Sequence, residues 1–137
     1  MTAAKFNLIS QQVLNIMCEF AAKKGFVGVA FLACLEDGGT NDWVCRMKVC
    51  EAVRSAAEGI RGMNYAALSF SMMAEMMDTK ADSGQSTRQP LTGETGLKGG
   101  ACIKDGSGYI AASFAGADPE DNYIISLHAL TYLQRIV

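Results

Sequence analysis

Histidine occurs once in this 137-residue chain, at His128, and proline only twice. A lone imidazole excludes every arrangement that needs several: three- and four-histidine metal centres, the H-E-x-x-H helix and two-histidine haem ligation within one chain. A basic excess is also missing. Twelve Lys and Arg against fourteen Asp and Glu leave a net charge of −2, and the cations are scattered, so no positive stripe exists to follow a nucleic-acid backbone. No uninterrupted apolar run approaches the ~20 residues of a membrane-spanning helix, and residues 1–7 lack the apolar stretch of a signal peptide; the expectation is a cytosolic protein. The five cysteines, Cys18, Cys34, Cys45, Cys50 and Cys102, contain no C-x-x-C pair and no zinc-module spacing. Their odd number reads as small buried hydrophobes in a reducing compartment, not as a disulfide framework. A G-x-S-x-G nucleophile elbow is absent. The glycines between Gly93 and Gly100 lack the spacing and context of a phosphate loop, and read as a mobile loop feeding a strand.

What the chain does have is apolar content: half of its residues are hydrophobic and only 19% are charged. That composition and length suit a single domain, residues 1–137, with a substantial core. Residues 7–24 carry a helical apolar pattern, with Lys23, Lys24 and Gly25 as a stop. Phe26 to Leu35 is a continuous apolar run of strand length; a polar turn follows, and Trp43 to Val49 reads as its hairpin partner. Residues 50–61 suit a helix interrupted by Gly59 and Gly62. A stronger helix is expected from Asn64, a plausible cap, to about Lys80, with Ala66, Ala67, Phe70, Met73, Ala74 and Met77 at three- and four-residue spacing. Residues 81–96 are loop-like, with a short strand expected near Arg88 to Leu91.

The last third is the most strongly punctuated. Asp105, Gly106, Ser107 and Gly108 supply turn residues between two short strands. Asp118 is then a good N-cap, Pro119 falls at the first helical position, and Glu120 and Asp121 place negative charge in the first turn. Hairpins in consecutive order predict an antiparallel sheet with helices packed on it, an α+β sandwich of two or three layers like that of profilin-like domains.

Several segments together resemble the GlcG/HbpS-like family of haem-binding or haem-degrading domains. These are the small-residue strand and acidic helix start from Ala112 to Asp121, the glycine-containing strand from Lys98 to Ile103, and Val44, Cys45, Arg46 and Met47 after the first turn. The helix around Phe70 to Ala74, ending near Gly84, fits as well. The chain departs from the family pattern at Met72, where many members carry lysine, and at Glu94, Thr95 and Lys98, which interrupt a glycine-rich run. The resemblance implies a profilin-like fold, a homo-oligomer, and a haem or similar small ligand bound without a protein-built catalytic constellation. For such a ligand, His128 or Met72 are candidate axial groups, and Arg46, Lys80, Arg88 and Lys98 candidate partners for a carboxylate. Against this stand plainer readings: a half-buried His128 bonded to a backbone carbonyl, methionines packed in the core and against a neighbouring subunit, and solvated surface cations. A cysteine metal site combining Cys45 and Cys50 with Cys34 or Cys102 has no spacing in its favour. The alternative function is a non-enzymatic protein-interaction module using the sheet edge or terminal helices, which Trp43 and Phe26 would favour if exposed together.

Overall fold

A computed structural model describes residues 1–39, 41–55 and 62–137. Its elements run α1 (Ala3–Lys23), β1 (Gly28–Leu35), β2 (Trp43–Cys50), α2 (Tyr65–Thr79), β3 (Gly100–Asp105), β4 (Gly108–Ala115) and α3 (Pro119–Ile136). The four strands form one sheet in the order β2-β1-β4-β3, with every neighbouring pair antiparallel. The sheet is therefore two hairpins joined through their inner strands, β1 against β4. Helices α1 and α3 pack together on one face and α2 covers the other, which gives the expected α+β fold with three layers.

This layering explains the composition of β1. A strand covered on both faces loses the usual apolar–polar alternation, and all eight residues of β1 are buried. Ala30, Leu32 and Cys34 enter the core shared with Phe6, Val13, Leu14 and Met17 of α1 and Ile125, Leu130 and Leu133 of α3. Val29, Phe31 and Ala33 turn to the opposite side and meet Met73 and Met76 of α2.

The helix caps follow the sequence. Asn64 accepts from the Ala67 N–H at 3.0 Å, and Asp118 accepts from the Asp121 N–H at 2.8 Å with Pro119 behind it. Each satisfies one of the amides a helix start leaves without partners. Helix α1 begins at Ala3 rather than near Asn7, because Thr2 caps it by accepting from the Lys5 N–H at 3.1 Å. The second hairpin turns at Gly106, whose φ of +63° is a conformation glycine adopts without steric penalty.

Three expectations change. The segment after β2 is not helical over residues 51–55: Arg54 bridges to Asn64 in an antiparallel pair, and the rest of that expected helix, residues 56–61, lies outside the described residues. No strand forms over residues 88–91; Pro90 has no N–H to give a ladder, and Arg88 is held by side-chain bonds instead. The cysteines are not all free. Cys18 of α1 and Cys50 at the end of β2 form a disulfide, with Cα atoms 5.2 Å apart, while Cys34, Cys45 and Cys102 are unbridged. The two lie 32 residues apart in sequence, and only the packing of α1 across β2 brings them together. Among the described residues no helix is long and apolar enough to cross a membrane.

Candidate functional site

The α2 side of the sheet holds the features that a packed core alone does not require. Along α2, Met72, Met73 and Met76 are buried, and Ser69, Ser71 and Glu75 are buried with them. Met72 and Met76 lie over the start of β3, where the chain carries Gly99 and Gly100. A Cβ at Gly100 would stand 2.4 Å from the Met76 methyl, and one at Gly99 would stand 2.5 Å from the Met72 sulfur. The paired glycines are thus the floor on which two thioethers rest; the run is a loop feeding β3, as its sequence reads, and its last two glycines pack against α2. The serine hydroxyls are satisfied in kind. Ser69 and Ser113 hydroxyls meet at 2.9 Å, and Ser71 both donates to the Gly93 carbonyl at 2.8 Å and accepts from the Thr95 N–H at 3.0 Å. Since buried polar groups are costly unless bonded, the first contact ties α2 to β4 and the Ser71 bonds fix the 84–99 loop to the helix.

Two cavities flank this arrangement. An apolar slot of about 70 Å³ opens between the first half of α2 and the β4–α3 corner, walled by Leu68, Met72, Leu97, Ala115 and Pro119, with Lys98 at its edge. Lys98 pairs with Glu120 at 2.6 Å, which raises the pKa of its ammonium. A polar pocket of about 190 Å³ lies toward the other end of α2, walled by Glu75 and by Gly84, Ser86, Thr87, Arg88, Gln89, Pro90 and Gly96.

The five residues proposed from sequence do not converge. Arg46, on the exposed α1-facing side of β2, donates to Ser10 Oγ at 3.3 Å and Gln11 Oε1 at 3.4 Å. His128 is exposed on α3 and stacks on Phe20 of α1, ring centroids 4.2 Å apart; it is neither half-buried nor bonded to a carbonyl among the described residues. Both sit on the α1/α3 side of the sheet, whereas Met72, Lys80 and Arg88 belong to the α2 side. Met72 is buried, 3% exposed, and lines the slot. Lys80 ends α2 in the left-handed conformation, donates to the Met77 carbonyl at 2.8 Å, and lies over the rings of Trp43 and Tyr109 at 5.8 and 6.0 Å.

Arg88 is fully engaged. Nε and Nη2 donate to Asp78, Nη1 and Nη2 to Glu94, and Nη1 also to the Gln89 carbonyl, all between 2.8 and 3.1 Å. Five bonds use every N–H of a guanidinium, so none remains for a ligand carboxylate. The same bonds hold the Glu94 carboxyl down to about 2.

A haem in one chain would need an axial ligand and propionate partners around a single large slot. The apolar slot is well below the ~300–1,000 Å³ typical of small-molecule sites, and His128 and Met72 lie on opposite sides of the sheet. The five residues proposed from sequence therefore do not gather around one slot that would hold a haem within one chain. Nor do the described residues form a metal centre, since no group of three His, Cys, Asp or Glu is so arranged among them. Burial pushes the Cys102 thiol up to about 11 and raises that of Cys34, which disfavours their thiolates.

Sequence reasoning placed Lys98 only among the carboxylate partners and missed Glu75. Its signal is position: Glu75 falls one turn from Ser71 and Met72 on the buried face of α2, where a solvated carboxylate has no place.

The outer row of α2 is equally unusual. Ala67 and Phe70 are exposed and Ala66, Ala74 and Met77 half-buried, with no charge among them. Beside this row, the α2-facing positions of edge strand β2 leave Cys45, Met47 and Val49 exposed. Trp43 and Phe26 do not share a patch, because Phe26 packs on the α1/α3 core and Trp43 on the α2 side. Comparison with family models, with curated proteins and with solved structures finds no match to this chain.

Proposed function

We propose that this chain is a non-enzymatic binding domain of the GlcG/HbpS type that works as a self-paired assembly, with a second copy covering α2 and β2. The observation that carries the reading is the uncharged surface on that side: Phe70, Met47 and Val49 are 45%, 43% and 37% exposed and adjoin one another around α2 and the sheet edge. An apolar patch of this kind marks an interaction surface, and a helix apolar on both sides is covered on both sides.

A second copy suits it for two physical reasons. A twofold axis through the edge would set β2 beside its own copy in antiparallel sense, the sense of every other pair in this sheet. Among the described residues, Phe70, Met47 and Val49 bring no charge that would select an oppositely charged partner, and Asp78, exposed one turn after Ala74, is already paired with Arg88. The cations of the same strand, Arg46 and Lys48, face the other way and are held by Ser10, Gln11 and Asn15 of α1. On this reading the ligand is smaller than a porphyrin and largely apolar, and it lies in the Met72 slot with Lys98 available for a carboxylate.

Sedimentation velocity across micromolar concentrations tests the assembly. The expected result is a species at a multiple of 14.6 kDa. A monomer throughout, or a monomer that recovers a stoichiometric protein partner from lysate, overturns self-pairing and supports an interaction module.

A further inference from the structure

We infer that the polar pocket between the second half of α2 and residues 84–96 is a binding site for a small organic ammonium ion, with Glu75 as its anchoring acceptor. Glu75 is only 4% exposed. Its Oε2 accepts from the Gly84 N–H at 2.7 Å, while its Oε1 is buried with no hydrogen-bond partner. A buried carboxylate oxygen left in this state is the exception in a folded protein and calls for a donor.

The surroundings decide what kind of donor. Three carboxylates, Glu75, Asp78 and Glu94, stand with one cation, Arg88, around this end of the loop, and every N–H of that guanidinium is already committed to Asp78, Glu94 and the Gln89 carbonyl. Arg88 is shared by Asp78 and Glu94, so carboxylates outnumber cations here, and Glu75 is the one of the three without an ionic partner. An anion is disfavoured here and a cation favoured. Too few ligands gather among the described residues for a metal ion, which leaves an organic cation carrying N–H donors. Ser86, Thr87 and Gln89 line the same pocket with hydroxyl and amide groups that suit a polar substituent on that cation. The pocket, at about 190 Å³, has room for a molecule of a few heavy atoms together with water. The terminal torsion of a glutamate is broad, so the carboxylate can turn Oε1 toward an entering donor, a movement that also shifts Oε2 and so perturbs the Gly84 N–H bond.

The test is a titration of the ¹⁵N-labelled full chain with ethanolammonium chloride. Ethylene glycol serves as the uncharged counterpart and sodium chloride as the ionic-strength control. Saturable shifts at the Gly84, Thr87 and Gln89 amides with ethanolammonium alone are expected. Glu75→Gln keeps a carbonyl for Gly84 and replaces the free oxygen by an NH₂ group. It should weaken binding by about tenfold or more, the scale of a lost charge-assisted hydrogen bond. No saturation, an equal response to glycol, or an unchanged affinity in Glu75→Gln overturns the assignment. Should that variant fail to fold, the contrast between ethanolammonium and glycol in the unaltered chain decides.

Discussion

The two faces of the sheet are built on different principles. On the α1/α3 face, large apolar side chains interlock: Phe6, Leu14 and Met17 from α1, Phe114 and Ile110 from β4, and Ile125, Leu130 and Leu133 from α3, each 2% exposed or less. On the α2 face the sheet offers mostly small residues, Ala33, Ala111, Ser113 and Gly100 among them, and the helix answers with methionines, serines and a glutamate. The first face fills space with rigid shapes. The second is held by flexible thioethers and hydrogen bonds, carries the apolar slot and the polar pocket, and leaves apolar side chains exposed. Wider clefts also open at the rim of the first face, between α1 and the end of β2 and between β3 and the end of α3. The large apolar core lies mainly on one side, and the proposed binding surfaces lie on the other.

The largest test of that division is Phe114→Ala. Phe114 is fully buried, and the loss expected is about 3–5 kcal/mol, the usual range for Phe→Ala in a core, read from denaturant unfolding. A cost near 1 kcal/mol would mean that the α1/α3 side is not the principal core. Next comes the tie between α1 and β2 on the same side. Replacing Cys18 and Cys50 together by alanine removes the covalent closure of a 32-residue separation and is expected to cost roughly 2–4 kcal/mol. Thiol titration under denaturing conditions should find three free thiols in the native chain and five after reduction; five before reduction would remove the bridge from the account.

On the α2 side, Gly100→Ala puts a methyl group against Met76. Because the clash is with the end of a flexible side chain, the expected cost is about 1–3 kcal/mol, with shifts concentrated in α2. A neutral result would show that the methionines do not rest on the glycine floor.

The smallest effect concerns pH. Glu94 titrates at about 2 in the folded chain against an ordinary 4.5, because Arg88 bonds its charged form. A depressed carboxyl stabilises the fold above its unfolded value and loses that contribution as pH falls toward the folded one. Acidification from about 4.5 to about 2 should therefore release the 84–96 loop from α2. Amide shifts of Arg88 and Leu91 moving before the helical circular dichroism falls would show it; loop and helix changing together would contradict it.

The parts of this division that lay in local chemistry were legible in the sequence. Asp118 and Pro119 announce the start of α3, Asn64 that of α2, Gly106 the second turn, and the unbroken apolar run into Leu35 a buried strand. What lay in contacts across the fold was not. Nothing along the chain joins Cys18 to Cys50, and a glutamate inside a helix reads as solvated until Ser71, Met72 and Met76 around it are seen to be buried. The cations Arg46, Lys80 and Arg88 look equivalent as a list. The pleat of β2 sends Arg46 to one face, the end of α2 seats Lys80 over two rings, and Asp78 with Glu94 uses up Arg88. A ligand set assembled from sequence position alone was scattered by those placements.

The most direct test of the central claim, that the α2 side is the binding side, compares two glutamate substitutions by sedimentation equilibrium. Phe70→Glu charges the exposed α2 row, and Leu8→Glu charges a more accessible apolar position on α1, where Leu8 is 83% exposed. The account predicts that Phe70→Glu sediments at the 14.6 kDa of one chain while Leu8→Glu keeps the mass of the unaltered assembly. Equal masses for the two variants, or dissociation by Leu8→Glu alone, would contradict it.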